Sequence, residues 1–181
     1  MNLTPDRVKG NLTPNPSPRG EGRQERESGM YFKQVNEIVQ RLKVCTQRVE
    51  NAGEAAVYAD DGEIVAVLTA AGRVKWKVGG VYCVSPQRGK PSAVWKGNSL
   101  IYPTNKARAE EYIERGYQRV QIRVTRIERV NVQCMDDAVA LAEGVRDVAA
   151  YEALWRTINV TKGVRWEDNP VVWRRWVEFV G

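Results

Sequence analysis

The stretch RVQIRVTRIERVNVQCMDDAVALAEGV, residues 119–145, carries two different apolar periods in succession. Over residues 119–130, Val120, Ile122 and Val124 alternate with Arg119, Gln121, Arg123 and Thr125. A period of two sends successive side chains to opposite faces of a strand, so one face here is apolar and the other polar. The alternation changes parity at Arg126-Ile127, which predicts a bulge or bend at that point. Beyond it MDDAVALAEGV turns helical, with Asp136-Asp137 in the first turn, where carboxylates complement the helix dipole.

Working outward toward the C-terminus, DVAAYEALWRTIN reads as a second helical piece and VVWRRWVEFV as a closing strand, entered through a bend at Asn169-Pro170. Val171, Trp173, Val177 and Phe179 share parity and are expected to face inward. Trp155, Trp166, Trp173 and Trp176 are expected to pin this helix and strand to the sheet. Toward the N-terminus, Lys106 to Arg115 reads as a short helix closed by Gly116, and SPQRGKPSAVWKGN as loop around a brief apolar SAVW. VKWKV and VYCV read as short strands separated by Gly79-Gly80. AAVYA (55–59) and EIVAVLT (63–69) form a hairpin whose turn, Asp60-Asp61-Gly62, supplies positive φ. From Tyr31, the spacing of Val35, Ile38, Val39, Leu42 and Val49 predicts a helix ending near Asn51-Ala52-Gly53. Short strands with interspersed helices place the chain in the α+β class, around a small barrel or curled sheet.

Residues 1–29 differ from the rest: Pro5, Pro14, Pro16 and Pro18 stand among few apolar residues, ahead of RGEGRQERESG. Such a segment cannot bury enough apolar surface to offset its ordering entropy and is expected to be disordered. Arg19, Arg23 and Arg26 are interleaved with Glu21, Glu25 and Glu27, which weakens a reading as a nucleic-acid arm. Met30 opens the globular part, residues 30–181, and is a second candidate translational start.

The chain of 181 residues suits one modest domain and carries a formal net charge of +6. That charge fits either a polyanionic partner or a solubilising surface. It has no histidine, which excludes Ser-His-Asp and Cys-His catalysis and His-containing zinc sites. Cys45, Cys83 and Cys134 are too few and too scattered for a disulfide framework or a CxxC clip and are expected as reduced thiols. Asp60-Asp61 and Asp136-Asp137 have simpler roles in a turn and a helix start, so no metal is expected. Gly79-Gly80 and Arg88-Gly89-Lys90 complete neither a P-loop nor a dinucleotide fingerprint, and no cofactor is expected. No apolar run approaches membrane-spanning length and the first residues lack a secretory signal, so a cytoplasmic protein without membrane contact is expected.

RLKVCTQR, residues 41–48, resembles the G-x-K-x-x-T-x-R signature of ASCH domains, a branch of the PUA-like superfamily, keeping Lys43, Thr46 and Arg48 and carrying Arg41 in place of the glycine. Lys77-Val78-Gly79-Gly80-Val81-Tyr82 resembles the turn that enters a strand of that fold. The 119–145 stretch, YEALWRTIN, WEDNPVVW and the closing Glu178-Phe179 are similar to a phage and prophage subgroup of ASCH proteins. Val171 stands where those relatives carry Trp, and Arg174-Arg175-Trp176 includes two extra residues before Glu178. The resemblance covers Met30 to Phe179 and implies a PUA-like pseudo β-barrel with an N-terminal helix and further helices before the last strand.

The same resemblance implies a cleft that binds RNA or a modified nucleoside, and this binding module is the expected function. An alternative is a small metal-free amidohydrolase acting on acylated cytidine-type nucleosides. Lys43, Thr46 and Glu143 match the residues that carry that reaction in the family. On the expected helix, residues 43 and 46 would share a face, where a desolvated lysine is suited to activate a hydroxyl; the competing reading is an ordinary surface lysine, threonine and glutamate. A third alternative is an interaction or accessory protein of a mobile element. Arg48, Arg119, Arg123 and Arg126, joined by Arg88 and Lys90, are expected to line the basic ligand-binding surface. Trp76, Tyr82 and Trp95 are either stacking platforms for bases or core.

Overall fold

The computed structural model describes residues 30–32 and 34–181. The segment 1–29, expected to be disordered, lies outside the described residues. In chain order the elements are β1 (Met30–Tyr31), α1 (Val35–Val39), β2 (Cys45–Val49), β3 (Ala55–Tyr58), β4 (Ile64–Leu68), β5 (Val74–Lys77), β6 (Val81–Ser85), β7 (Val94–Lys96), β8 (Ser99–Ile101), α2 (Lys106–Glu114), β9 (Gln118–Arg119), β10 (Gln121–Asn131), α3 (Asp137–Ala142), α4 (Val148–Asn159) and β11 (Val171–Phe179). The protein is thus mixed α+β, as its sequence predicts.

The main sheet runs β1-β6-β10-β11-β2, with β4 pairing β10 beyond β6 and carrying β3 and β5; β7, β8 and β9 form a second, small sheet. Among the described residues all pairings are antiparallel except β1 with β6. The long strand β10 organises the sheet: β11 follows one edge from Ile122 to Asn131, while β6 and then β4 share the other. Its parity break is a bulge, with the register to β11 shifting between Val124 and Arg126, just ahead of the predicted point. Ile122 and Val124 are buried before the bulge and Ile127 after it, so the extra residue keeps apolar side chains inward while the strand bends.

Both faces of β11 are covered. Trp173 and Val177 enter the main core with Ile122, Val124, Trp76 and Val35. Val172 enters a second core with Tyr151 and Trp155 of α4 and Trp166. Of the four residues expected inward, Trp173 and Val177 are buried, Phe179 packs on the core edge and Val171 is half-buried. The covered second face also buries Arg174, while Arg175 is buried on the first.

The predicted long N-terminal helix is corrected to α1 alone. Val35 and Ile38 do face the core, but Arg41 adopts a φ of 59° and the chain reverses, with the Leu42 and Lys43 N–H groups both donating to the Glu37 carbonyl. Cys45 to Val49 then pair with β11, and Leu42, expected on the apolar stripe, is exposed. A free strand edge on β11 wins over helical spacing, because pairing satisfies its backbone groups and places the β-branched Thr46 and Val49 where they pack well.

Candidate functional site

The β2–β11 register brings the first predicted residues together in an unpredicted way. Thr46 stands opposite Arg175, and Arg48 opposite Trp173. Directly opposed side chains share a face, so Thr46, Arg48, Trp173 and Arg175 lie on one side of the sheet. Lys43 is not on a helix turn with Thr46; it lies in the loop before β2, on the way to that strand.

Lys43 meets Glu143 across 100 residues of sequence: its Nζ donates to Glu143 Oε2 and to the Glu143 carbonyl, both at 2.5 Å. The end of α3 makes this possible. Asp136 caps its start, accepting from the Val139 N–H. At its end the Gly144 N–H donates to the Leu141 carbonyl and the Val145 N–H to the Ala140 carbonyl, a Schellman closure around Gly144 at φ 85°. The Glu143 carbonyl is left pointing out of the helix, and the lysine takes it. Gly144 is also where the loop packs, since a Cβ there would sit 3.6 Å from Lys43 Cβ. The pair is buried, and Glu143 Oε1 has no partner. Thr46 is buried too, but among the described residues no hydrogen bond joins its hydroxyl to Lys43 or Glu143. Cys45 lies within the field of this pair; burial first, and then the Glu143 carboxylate, push its thiol far up.

Two basic cavities flank β1 and share Met30 and Arg88 as walls. The first, about 690 Å³, is lined by Arg88, Lys90, Lys106 and Arg119. The second, about 790 Å³, is lined by Arg48, Lys75, Arg88, Lys162 and Arg175. Glu110, on the wall of the first, is paired with Arg119 at 2.6 Å. Glu50, on the wall of the second, is paired with Arg129 at 2.8 Å. Arg123 and Arg126 line neither cavity and form exposed pairs with Glu178 and Glu128. The arginines expected on one surface are therefore divided: Arg48 in the second cavity, Arg119 and Lys90 in the first, Arg88 between them, and Arg123 and Arg126 apart.

Arg175 was not among the residues singled out by sequence, where it read as part of a two-residue insertion. Its guanidinium carbon lies 3.9 Å over the Trp76 ring, and its Nη1 is 3.3 Å from Met30 Sδ. Its Nε has no partner, and among the described residues no carboxylate is within ion-pair distance of it. Burial, and then the charge of neighbouring Arg48, pull its pKa down to about 9. Lys75 lies 4.1 Å from the centre of the same Trp76 ring and is paired with Glu54. Trp76 and Tyr82 are buried in the core, and Trp95 packs edge-on against Phe179 at 5.1 Å. All three pack into or against the main core, and Trp76 also lines the second cavity. Among the described residues no helix is long and apolar enough to cross a membrane, and no cluster of acidic or cysteine side chains is placed to hold a metal ion.

No protein-family model matches the chain, and no curated protein matches it. Among solved structures it is similar to an ASCH domain from Lactobacillus crispatus, with a TM-score of 0.46 and 12% identity over 80% of this chain and 69% of that one. It is also similar to a protein of the DUF984 family from Enterococcus faecalis, with a TM-score of 0.42 and 15% identity over 81% of this chain and 69% of that one.

Proposed function

We propose that the chain is a binding module for single-stranded RNA or a modified nucleoside, the function its ASCH-like motifs imply. The observation that carries this reading is the pair of adjoining cavities walled by Arg48, Lys75, Arg88, Lys90, Lys106, Lys162 and Arg175. Cations gathered in concave walls attract phosphate groups by releasing counterions and by charge-assisted hydrogen bonds. The wall carboxylates Glu50 and Glu110 are themselves engaged, by Arg129 and Arg119. Fluorescence anisotropy with a short single-stranded RNA over a salt series tests it: affinity is expected to fall steadily as salt rises, and absence of binding at low salt would overturn the RNA form of the reading.

The meeting of Lys43 with Glu143 supports the amidohydrolase as a second reading, because two of the three matching residues are in contact. Incubation with an acylated cytidine and detection of the released acid decides between the two. Binding without product supports the module, and turnover abolished by Lys43→Ala or Glu143→Ala supports the enzyme.

A further inference from the structure

The buried guanidinium of Arg175 is the least compensated charge described above. It is 2% exposed, sits midway along a strand covered on both faces, and among the described residues has no carboxylate within ion-pair distance. An ionised group taken out of water costs several kcal/mol unless a counter-charge and hydrogen bonds replace its solvation. Trp76 and the Met30 sulfur cover part of it but supply no anionic oxygen. Arg48 adds a second guanidinium in the same cavity, close enough to raise the cost of the Arg175 charge. Arg88 and Lys162 add to the cationic wall, Lys75 is engaged by Glu54 and the wall carboxylate Glu50 by Arg129, so among the described residues no carboxylate of the cavity pairs with Arg175.

We infer that this second cavity is a phosphomonoester site, in which Arg175 at the floor and Arg48 at the wall hold the terminal phosphate of an RNA strand or of a mononucleotide. This rests on the binding reading and narrows it, since it excludes an unphosphorylated nucleoside as the preferred ligand. Charge and shape choose the monoester over an internal diester. A terminal phosphate carries close to two charges at neutral pH and presents three acceptor oxygens. An internal diester carries one charge and must leave the site with chain on both sides, which a buried floor does not accommodate. The planar fork of an arginine matches phosphate oxygens in pairs, and stacking on Trp76 holds that fork before the ligand arrives. At about 790 Å³ the cavity is within the range of small-molecule sites and has room for the nucleotide that follows the phosphate.

The test compares one short RNA sequence with hydroxyls at both ends against the same strand phosphorylated at one end or the other, with cytidine, cytidine monophosphate and inorganic phosphate as further probes. One phosphorylated strand is expected to bind about tenfold or more tightly than the hydroxyl strand, a difference of about 1.4 kcal/mol. Inorganic phosphate and the monophosphate are expected to raise the melting temperature by linkage, whereas cytidine is not. Arg175→Met, which replaces a buried cation by an unbranched apolar chain, is expected to fold and to lose the end preference. Should that variant not fold, Arg48→Gln, at a half-buried position, is expected to lose the same preference. Equal binding of all three strands by the wild-type protein overturns the inference and leaves the RNA-binding reading standing. Binding of the monophosphate without binding of any strand overturns the RNA reading and leaves this site standing.

Discussion

Lys43 Nζ and the Glu143 carboxylate lie 2.5 Å apart in a buried ion pair that joins the loop after α1 to the end of α3. Removing one partner leaves the other charged and out of water. Glu143→Gln is therefore expected to destabilise the fold by about 3 kcal/mol or more, and the double replacement Lys43→Met with Glu143→Leu to recover much of that loss. Urea denaturation of the single and double variants checks it; a Glu143→Gln midpoint equal to the wild type would show that the pair bears no structural weight.

Arg41 has a φ of 59°, in the left-handed region. A side chain there costs about 1 kcal/mol relative to glycine. Arg41→Gly should accordingly raise stability by about that amount. Arg41 is exposed and lines neither basic cavity, so RNA affinity should stay the same apart from the lost surface charge.

Under the RNA-binding reading proposed above, the division of the arginines predicts a division of salt effects. Arg48→Ala and Arg88→Ala should each lower the log-log salt slope of RNA binding by about 0.7, the value for one phosphate contact on a single strand. Arg123→Ala and Arg126→Ala should leave the slope unchanged, because these side chains stand outside the cavities in exposed pairs. A slope lowered by Arg123→Ala would move the interface onto the outer face of β10.

Glu54 gives the acid limb of stability. Burial alone would raise its carboxyl, but hydrogen bonds from the Lys75 ammonium and from the Asn51 side chain and N–H, with the Lys75 charge, hold it below the usual range. The Trp173 indole also donates to it, at 2.8 Å. A carboxyl depressed in the folded state contributes stability above its unfolded pKa and loses it as pH falls through the folded value. Glu54→Gln should thus be less stable than wild type at neutral pH, with the gap narrowing under acid. A gap that stays constant from neutral pH into acid would contradict this assignment.

The three thiols should separate by accessibility. Cys45 and Cys83 are buried and Cys134 is exposed. Burial and the neighbouring Glu143 carboxylate keep Cys45 protonated, and a thiol is a poor nucleophile. An aromatic disulfide reagent should label Cys134 alone in the native protein and reach the other two only on unfolding, as mass spectrometry of labelled peptides would show.

The sequence alone determined the α+β class, the 55–69 hairpin, α2, the strand β10 with its bulge, and the helices before β11, because each has a local signature: an apolar period, a turn glycine or a capping residue. It also marked Lys43, Glu143 and Arg48 through their motifs, though not their geometry. The tertiary structure alone decided that residues 45–49 pair with β11 instead of continuing a helix, since helical spacing over a short segment carries little energy against a ladder of backbone hydrogen bonds and a buried face. It alone decided that Arg175 is buried, because that depends on Trp76, Met30 and β2 arriving from distant parts of the chain. An arginine in a strand reads locally as a solvated residue, and only the packing of both faces of β11 turns it into a cation in need of an anion.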